Sequence, residues 1–317
     1  MADVIKCATR DSYGAALKQL GTRDDILVLD ADLAKATKTI TFKKEFPEKF
    51  IDCGIAEGNM MGVAAGLATT GYTVFASSFA MFAAGRAFEQ VRNSIAYPNL
   101  NVKIGATHAG ISVGEDGASH QCCEDIALMR SIPNMVIINP ADDVEAMAAV
   151  HAAVEHEGPV YMRFGRLAVP RINSEDYKFE LGKGVLLKDG KDVTIVATGL
   201  MVNEAIIAAE TLAAEGIDAR VINIHTIKPI DKDILVAAAK ETGAIVTAEE
   251  HSIIGGLGSA VSEALAEEYP VPVVKLGVND TFGKSGPALE LLKIFGLDAE
   301  NIVIKAKKAI KLKNKLA

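Results

Sequence analysis

The sequence predicts an α/β protein with two domains, each a mostly parallel sheet covered by helices. Short apolar runs alternate with segments of helical periodicity along the 317-residue chain. These runs are apolar throughout, which is typical of strands that are buried on both faces of a parallel sheet. A polar connection at residues 171–184 interrupts the alternation, which restarts after it. We therefore expect one domain at residues 1–170 and a smaller one at 185–317.

The first domain should begin with a helix at residues 11–20. Its strands are predicted at 26–29, 50–53, 72–76, 101–107, 135–139 and 159–164, and its further helices at 57–69, 80–96, 123–131 and 142–156. Ligands of parallel sheets bind at the carboxyl ends of the strands. We expect a site at that edge because a polar residue follows each of four predicted strands: Asp32, Glu57, Ser77 and His108.

The second domain repeats the alternation without an obvious motif in common with the first. Its strands are predicted at 193–197, 219–224, 244–248 and 271–276, and its helices at 202–215, 231–241, 256–268, 287–295 and 299–315. The last helix is rich in lysine and carries no acid after Asn301. Its apolar residues share one stripe, which predicts a closing helix with a solvated lysine face.

Composition and charge argue against several classes of partner. The net charge is −8 with the signs interspersed, whereas nucleic-acid binding needs a clustered positive surface. Residues 58–85 contain no charged side chain, but glycines and serines interrupt them, so we interpret them as buried helix and strand and not as a membrane span. The four cysteines lack a Cys-x-x-Cys spacing and no secretory signal is visible, which favours a reducing cytoplasm.

Glu57 is the most informative residue of the first domain. It follows a predicted strand and a glycine turn, and it precedes the uncharged stretch 58–85. Desolvation there should raise the pKa of its carboxyl group. Such a group is either a functional acid or base or a structural hydrogen-bond partner, for example a cap at the start of a helix.

Four segments of the first domain together resemble transketolases. They are 54–57 (Gly-Ile-Ala-Glu), 77–82 (Ser-Ser-Phe-Ala-Met-Phe), 107–121 (Thr-His-Ala-Gly-Ile-Ser-Val-Gly-Glu-Asp-Gly-Ala-Ser-His-Gln) and 158–166, which ends in Arg166. The third segment is the most specific. The resemblance implies a thiamine diphosphate pyrimidine-binding domain at 1–170. It implies, less sharply, a transketolase C-terminal domain after the connection, with Lys228-Pro229 and Glu249-Glu250-His251 among the matching residues.

The resemblance implies thiamine diphosphate as the cofactor and gives Glu57 the role of partner of its aminopyrimidine ring. A carboxyl group with a raised pKa suits that role, because it can share a proton at neutral pH. Phe79 and Phe82 match positions that pack on the pyrimidine, although core packing at helical spacing is the plain alternative. Asp32, as a residue contributed across a dimer interface, and Ile55 are also implied as cofactor neighbours, with a helix N-cap as the alternative for Asp32. At Gly85 the chain departs from the family, which often has a further aromatic there.

The resemblance also implies sugar phosphate substrates. Arg10 and Arg166 match phosphate-binding arginines, a role that suits the guanidinium fork, with a surface ion pair as the alternative for each. Arg163, which resembles an arginine of related synthases more than one of transketolases, is a weaker candidate. His108 and His120 would bind the sugar and move protons during carbon–carbon cleavage. Asp116 would hold a substrate hydroxyl. The two histidines do not have the spacing of metal ligands, so we expect no metal site in this chain.

A motif that the family needs is absent from the sequence. Thiamine diphosphate enzymes hold the diphosphate and a divalent ion such as Mg²⁺ with Gly-Asp-Gly and a later Asn, and the chain contains no Gly-Asp-Gly. The sequence also begins where a transketolase would be half complete. We therefore expect a split transketolase, in which an N-terminal partner subunit supplies the diphosphate and metal site. Family behaviour favours a homodimer of this chain within an α2β2 assembly.

Three other interpretations remain. The chain resembles, to a lesser degree, the β subunit of a 2-oxo-acid dehydrogenase and the corresponding half of a 1-deoxyxylulose-5-phosphate synthase. It is also compatible with a non-enzymatic binding module on the same fold. The intact set of Glu57, His108, Asp116 and His120 argues against the last of these.

Overall fold

The computed structural model describes residues 5–316, which form two α/β units and a small additional sheet. The strands are β1 (Lys6–Ala8), β2 (Ile26–Asp30), β3 (Phe50–Asp52), β4 (Thr73–Phe79), β5 (Val102–Thr107), β6 (Val136–Ile138), β7 (Val160–Arg163), β8 (Ala168–Pro170), β9 (Val185–Lys188), β10 (Val193–Ala197), β11 (Ala219–Asn223), β12 (Thr226–Lys228), β13 (Ile245–Ser252) and β14 (Val273–Val278).

The helices follow the predicted order, except for two short ones. They are α1 (Thr9–Leu20), α2 (Ala34–Thr37), α3 (Ile40–Glu45), α4 (Glu57–Ala68), α5 (Phe88–Gln90), α6 (Asp125–Arg130), α7 (Asp143–Glu155), α8 (Met201–Ala214), α9 (Lys232–Thr242), α10 (Leu257–Glu268), α11 (Ala288–Ile294) and α12 (Ala299–Leu316). The short helices α2 and α3 were not predicted. Two π-helical segments flank α5, at Met81–Arg86 and Val91–Ala96, and single 3₁₀ turns lie at Pro47–Lys49 and Ile111–Val113.

The first sheet has seven strands in the order β12-β6-β7-β5-β4-β2-β3. All its neighbouring pairs are parallel except β12 with β6. Asp30, at the end of β2, is in register with Asp52 on β3 and with Ser77 on β4. The carboxyl ends of the central strands therefore meet at one edge, which carries the residues of the expected site.

The second sheet has five strands in the order β14-β13-β10-β11-β9, parallel except for β9. The predicted fold class, two domains with mostly parallel sheets and helices, is confirmed. Four short strands, β1, β8, β9 and β12, were not predicted. Each has three or four residues, too few to show a distinct apolar run.

The two domains share part of their hydrophobic interior. Met129 and Ile132 of the first domain and Ile224 and Ile227 of the second belong to one continuous cluster of buried residues. Strand β12 follows in sequence the β11 strand of the second sheet, yet it pairs with β6 of the first. The domains are therefore joined by sheet pairing as well as by packing.

The uncharged stretch 58–85 is largely as expected, with two differences. It forms most of α4, the β4 strand and all but the last residue of a π-helical segment, so the predicted helix and strand are confirmed, with β4 buried throughout and α4 on one face. The single helix predicted at 80–96 is wrong in type, because Ala87 N–H bonds to Phe82 O and Tyr97 N–H to Arg92 O, five residues earlier. Ser77 does not follow β4 but lies inside it.

Within residues 5–316, no helix has the length and apolar character needed to cross a membrane. The four cysteines are free thiols, two of them buried, Cys122 and Cys123.

Candidate active site

Glu57 begins α4 at the carboxyl edge of the first sheet, and its side chain is 1% exposed. Its predicted burial is confirmed, but the predicted uncharged neighbourhood is wrong. Arg86 Nη1 donates to Glu57 Oε2 over 2.7 Å, and Ser78 Oγ donates to Oε1 over 3.3 Å. Arg86 lies one residue beyond the uncharged stretch and itself remains half-exposed. Glu57 is therefore the buried member of an ion pair whose arginine reaches the surface.

Four rings cluster beside this ion pair. Phe79 and Phe82 stack with a centroid distance of 5.9 Å and an interplanar angle of 12°. Phe79 also stacks on His108 at 3.8 Å, and the His120 ring meets Phe82 edge-on at 5.3 Å. The guanidinium of Arg86 lies 4.4 Å from the Phe82 centroid, within the range of a cation–π contact. The structure thus brings together residues that are separated by up to 63 positions in the sequence, since Glu57 and His120 both belong to this region.

His108 is held in one tautomer by its neighbours. Arg10 Nη1 lies 2.7 Å from His108 Nε2, and the Thr107 hydroxyl lies 2.9 Å from Nδ1. Because a guanidinium can only donate, Nε2 accepts and Nδ1 carries the proton. Burial, together with the nearby charges of Arg10, Arg166 and Lys38, lowers the pKa of His108 to about 3. His108 is therefore neutral at physiological pH, with both ring nitrogens engaged.

The two predicted phosphate-binding arginines contact different parts of residues 107–121. Arg10 also donates to Ala36 O over 3.2 Å, and burial followed by the proximity of Arg166 lowers its pKa despite Asp11. Arg166 donates to Val113 O over 2.6 Å. Its Nη1 lies 3.6 Å from Asp116 Oδ2 and equally far from Glu115 Oε2. The Asp116 carboxylate is therefore close to a cation and remains half-exposed, so it can accept a further hydrogen bond.

Three predicted residues lie apart from this cluster. Arg163 is fully buried, where its Nε donates to Asp125 Oδ2 over 2.9 Å, so the prediction that it binds phosphate is wrong. Asp32 is exposed with φ +61°, and its N–H donates to Asp52 Oδ1. It does not cap α2 with its side chain, since the helix begins after Leu33. The Ile55 side chain is 76% exposed at the same edge.

Sequence reasoning missed two charged residues at this edge, Asp30 and Arg86. It also did not predict which side chain fills the space beside Gly85. Asp30 is fully buried, accepts from Leu33 N–H over 2.6 Å and from the Thr37 and Thr39 hydroxyls, and its burial raises its pKa to about 6. Its place at the end of the predicted strand 26–29 was the available signal. Arg86, the second residue, had no such signal. A Cβ at Gly85 would lie 2.3 Å from Met81 Cε, so a methionine occupies the space beside that glycine.

The residues present fit a flat heteroaromatic ring that bears N–H groups. A buried carboxylate supplies the acceptor, and Oε1 of Glu57 has only the long contact with Ser78, so it can accept another hydrogen bond. Phe79 and the partly exposed Phe82 supply apolar ring faces at the same place. The adjacent arginines and His120 suit an anionic, hydroxylated substrate. Among the described residues, His, Cys, Asp and Glu side chains form no group of three that could hold a metal ion.

Comparisons with known proteins agree with this geometry. Residues 5–171 match the family model for the transketolase pyrimidine binding domain, and residues 182–302 match that for the transketolase C-terminal domain. The chain is 54% identical to a protein of Methanocaldococcus jannaschii named "Putative transketolase C-terminal section", over 92% of this chain and 93% of that one. It is 46% identical to the 6-deoxy-6-sulfo-D-fructose transketolase subunit SqwH of Clostridium sp. (strain MSTE9), over 96% and 95% of the two chains.

A solved structure is also similar along almost its whole length. It is described as a split gene transketolase in an inactive beta4 tetramer. Its TM-score is 0.91 at 59% identity, and the match covers 96% of this chain and 99% of that one.

Proposed function

The chain belongs to the transketolase family, and from this premise we propose that it is the C-terminal subunit of a split transketolase. The reaction is the reversible transfer of a two-carbon ketol unit from a ketose phosphate to an aldose phosphate. The observation that carries the proposal is the combination at one sheet edge of a buried carboxylate, two stacked phenylalanines and the Arg10–His108 pair. These are the groups that bind a cofactor ring on one side and a sugar phosphate on the other.

Thiamine diphosphate, when bound, supplies the carbon nucleophile and the electron sink for cleavage of the substrate. Glu57 would hold its aminopyrimidine through the carboxylate and keep a proton at that contact, while Phe79 and Phe82 orient the ring. When the aminopyrimidine binds, Arg86 would either share the Glu57 carboxylate with it or break its hydrogen bond to that carboxylate. Asp32 and Ile55 lie exposed at this edge, and we assign them to the cofactor contact formed with a second subunit.

On the substrate side the residues have different tasks. Arg10 and Arg166 bind the phosphate, and Asp116 accepts a sugar hydroxyl. His120, which is partly exposed and edge-on to Phe82, is placed to bind the sugar and transfer protons. His108 presents its Nε2 lone pair to Arg10, so it orients that arginine and lines the site in its neutral form. Proton transfer therefore falls to His120 and not to His108.

The partner that we propose is an N-terminal transketolase subunit. The sequence has no Gly-Asp-Gly, so the diphosphate and the Mg²⁺ ion, or a similar divalent ion, are assigned to that subunit. The names of two relatives, a C-terminal section and a subunit, support a divided enzyme, and so does the inactive state of the split-gene beta4 tetramer. We propose an α2β2 assembly, a cytoplasmic location, and domains at 1–170 and 185–317 joined by the connection 171–184.

The experiment that tests this proposal compares the purified chain with the chain reconstituted with its N-terminal partner. With thiamine diphosphate and Mg²⁺, the pair should transfer a ketol unit from xylulose 5-phosphate to an aldose phosphate, and the chain alone should show no turnover. Activity of the chain alone would contradict the divided site. Activity of the pair on pyruvate but not on ketose phosphates would favour the dehydrogenase or synthase interpretation.

A further inference from the structure

Residues 108–121, which carry His108, Asp116 and His120 and which we call the substrate loop, pack against the second domain. The central contact of this loop is a hydrogen bond from Ser112 N–H to Glu250 Oε1, 2.6 Å long. Glu250 belongs to β13 of the second sheet, and both residues are buried. A carboxylate of one domain therefore accepts directly from the backbone of the substrate loop of the other.

The loop approaches Glu250 so closely that a side chain is excluded. Gly110 has φ +81°, and a Cβ built on it would lie 2.3 Å from Glu250 Cδ. Gly117 has φ +77°, and its Cβ would lie 2.3 Å from Ser285 Oγ. Both glycines are thus required by the backbone conformation and by a neighbour from the second domain.

A second anchor lies at the end of the loop. Gln121 Nε2 donates to Lys284 O of the second domain over 2.8 Å. The same nitrogen lies 3.2 Å from the carbonyl oxygens of Ile111 and Gly114 within the loop. The Gln121 amide therefore connects two points of the loop to the segment that precedes α11.

Glu250 is itself fixed by a buried arginine. Arg163 Nη2 donates to Glu250 O over 2.9 Å, and Arg163 Nε donates to Asp125 Oδ2 over 2.9 Å. The side chain of the neighbouring Glu249 points to the other face of β13, where it accepts from Leu257 N–H and Gly258 N–H at the start of α10. Two adjacent buried glutamates thus have separate partners, one the substrate loop and the other a helix.

We propose that the second domain positions the substrate loop and that Glu250 is the positioning residue, with Gln121 as the second anchor. This inference rests on the proposed function, since the loop matters through His120 and Asp116. Glu250 touches neither the expected cofactor contact at Glu57 nor the stacked phenylalanines. Loss of the anchor should therefore weaken substrate binding and leave cofactor binding unchanged.

The test uses Glu250→Ala, with Glu249→Ala as the matched control and Glu250→Gln as the conservative variant, which keeps an acceptor oxygen. In the reconstituted enzyme we expect Glu250→Ala to raise the KM for xylulose 5-phosphate about tenfold, on the scale of one lost charge-assisted hydrogen bond. The affinity for thiamine diphosphate should change less than about twofold. Glu250→Gln should lie close to wild type, and Glu249→Ala should lose stability without a change in KM.

A second measurement does not depend on activity. Hydrogen exchange of residues 109–122 in the full chain should become about tenfold faster in Glu250→Ala and stay unchanged in Glu249→Ala. If Glu250→Ala does not fold, Gln121→Met removes the other anchor at similar volume and should accelerate the same exchange. Equal acceleration in both glutamate variants, or none in Glu250→Ala, would overturn the positioning role. If the wild-type pair of subunits showed no ketol transfer, the proposed function would be refuted but the positioning role would not. The hydrogen-exchange measurement does not depend on activity.

Discussion

The carboxyl ends of the strands lie in different surroundings in the two domains. In the first sheet they carry Glu57, Phe79 and His108, at an edge where Arg86 and Asp32 are exposed to solvent. In the second sheet the equivalent ends are covered by the first domain. Thr198 Oγ1 donates to Asn139 O over 3.3 Å, and Asn223 Nδ2 donates to Glu145 Oε1 over 2.8 Å.

The same architecture is therefore used for two tasks. Ligands of open parallel sheets bind at the carboxyl ends of strands, and the first domain leaves that edge exposed after β2 and β3, at Asp32 and Ile55. In the second domain the polar residues that follow or end β10, β11 and β13 hold the first domain, and Glu250 holds its substrate loop. We call the carboxyl edge of the first sheet the open edge and that of the second sheet the docking edge. The two edges differ in what faces them and not in their fold.

The strongest test of the open edge is Glu57→Gln. The substitution removes the ionisable group and keeps the shape, so we expect kcat of the reconstituted enzyme to fall by roughly 10³-fold, on the scale of a lost acid–base group. Stability should change little, because the partner Arg86 is half-exposed and can be solvated. Steady-state kinetics and thermal unfolding measure the two effects.

Glu89→Gln is the control for this substitution. Glu89 is an exposed carboxylate near Arg86 in sequence, and among residues 5–316 it accepts from Gln90 and Asn93 alone. Its variant should retain wild-type kinetics. Near-normal turnover of Glu57→Gln would show that Glu57 has no role in the reaction. The functional difference between the two edges would then lose its main support.

The open edge was more predictable from sequence than the docking edge. Apolar runs identify buried strands, and the residues that follow them, among them Glu57 and His108, identify the edge. The interior of that edge was less predictable. Arg86 ends a π-helical segment that has no distinct periodicity, so its contact with Glu57 could not be anticipated.

Contacts of the docking edge join residues that are far apart in sequence. Ser112 and Glu250 are 138 positions apart, and Asn223 and Glu145 are 78 apart. No local pattern encodes such a pair, because periodicity and turn chemistry describe neighbours along the chain. Arg163 is an example. Its family resemblance suggests phosphate binding, whereas in the structure it is buried and donates hydrogen bonds to Asp125 and to the Glu250 carbonyl oxygen.

Arg163→Met should lower the free energy of unfolding, because Arg163 lies among the contacts that join the two domains. The variant leaves Asp125 buried without its cation, and breaking a buried ion pair costs about 3–5 kcal/mol of the free energy of unfolding. Denaturant unfolding of the full chain measures this loss. Affinity for thiamine diphosphate in the reconstituted enzyme should remain close to wild type where the variant is folded.

Arg220→Met is the matched control for this loss. Arg220 also lies in a strand, β11, but its partners Asp189 and Glu241 are exposed and can be solvated once the arginine is gone. It should lose clearly less stability than Arg163→Met. Equal losses would mean that the buried pair has no special part in joining the domains.

The smallest expected effect concerns the pH dependence of the docking edge. Burial raises the pKa of Glu145 to about 7, although Ala141 N–H, the Tyr177 hydroxyl and the Asn223 amide all donate to it. A carboxyl group whose folded pKa exceeds its unfolded value stabilises the fold below the unfolded pKa, and that stabilisation is lost as the pH rises through 7. Glu145→Gln is neutral at every pH and should not show this loss.

Between pH 6 and pH 8 the free energy of unfolding of the wild type should therefore fall relative to Glu145→Gln by on the order of 1 kcal/mol. The comparison cancels the opposite contribution of buried histidines such as His225, whose pKa burial lowers to about 4. Glu155→Gln, on the exposed end of the same α7 helix, should run parallel to the wild type. Parallel curves for Glu145→Gln and wild type would show that Glu145 does not titrate at the interface.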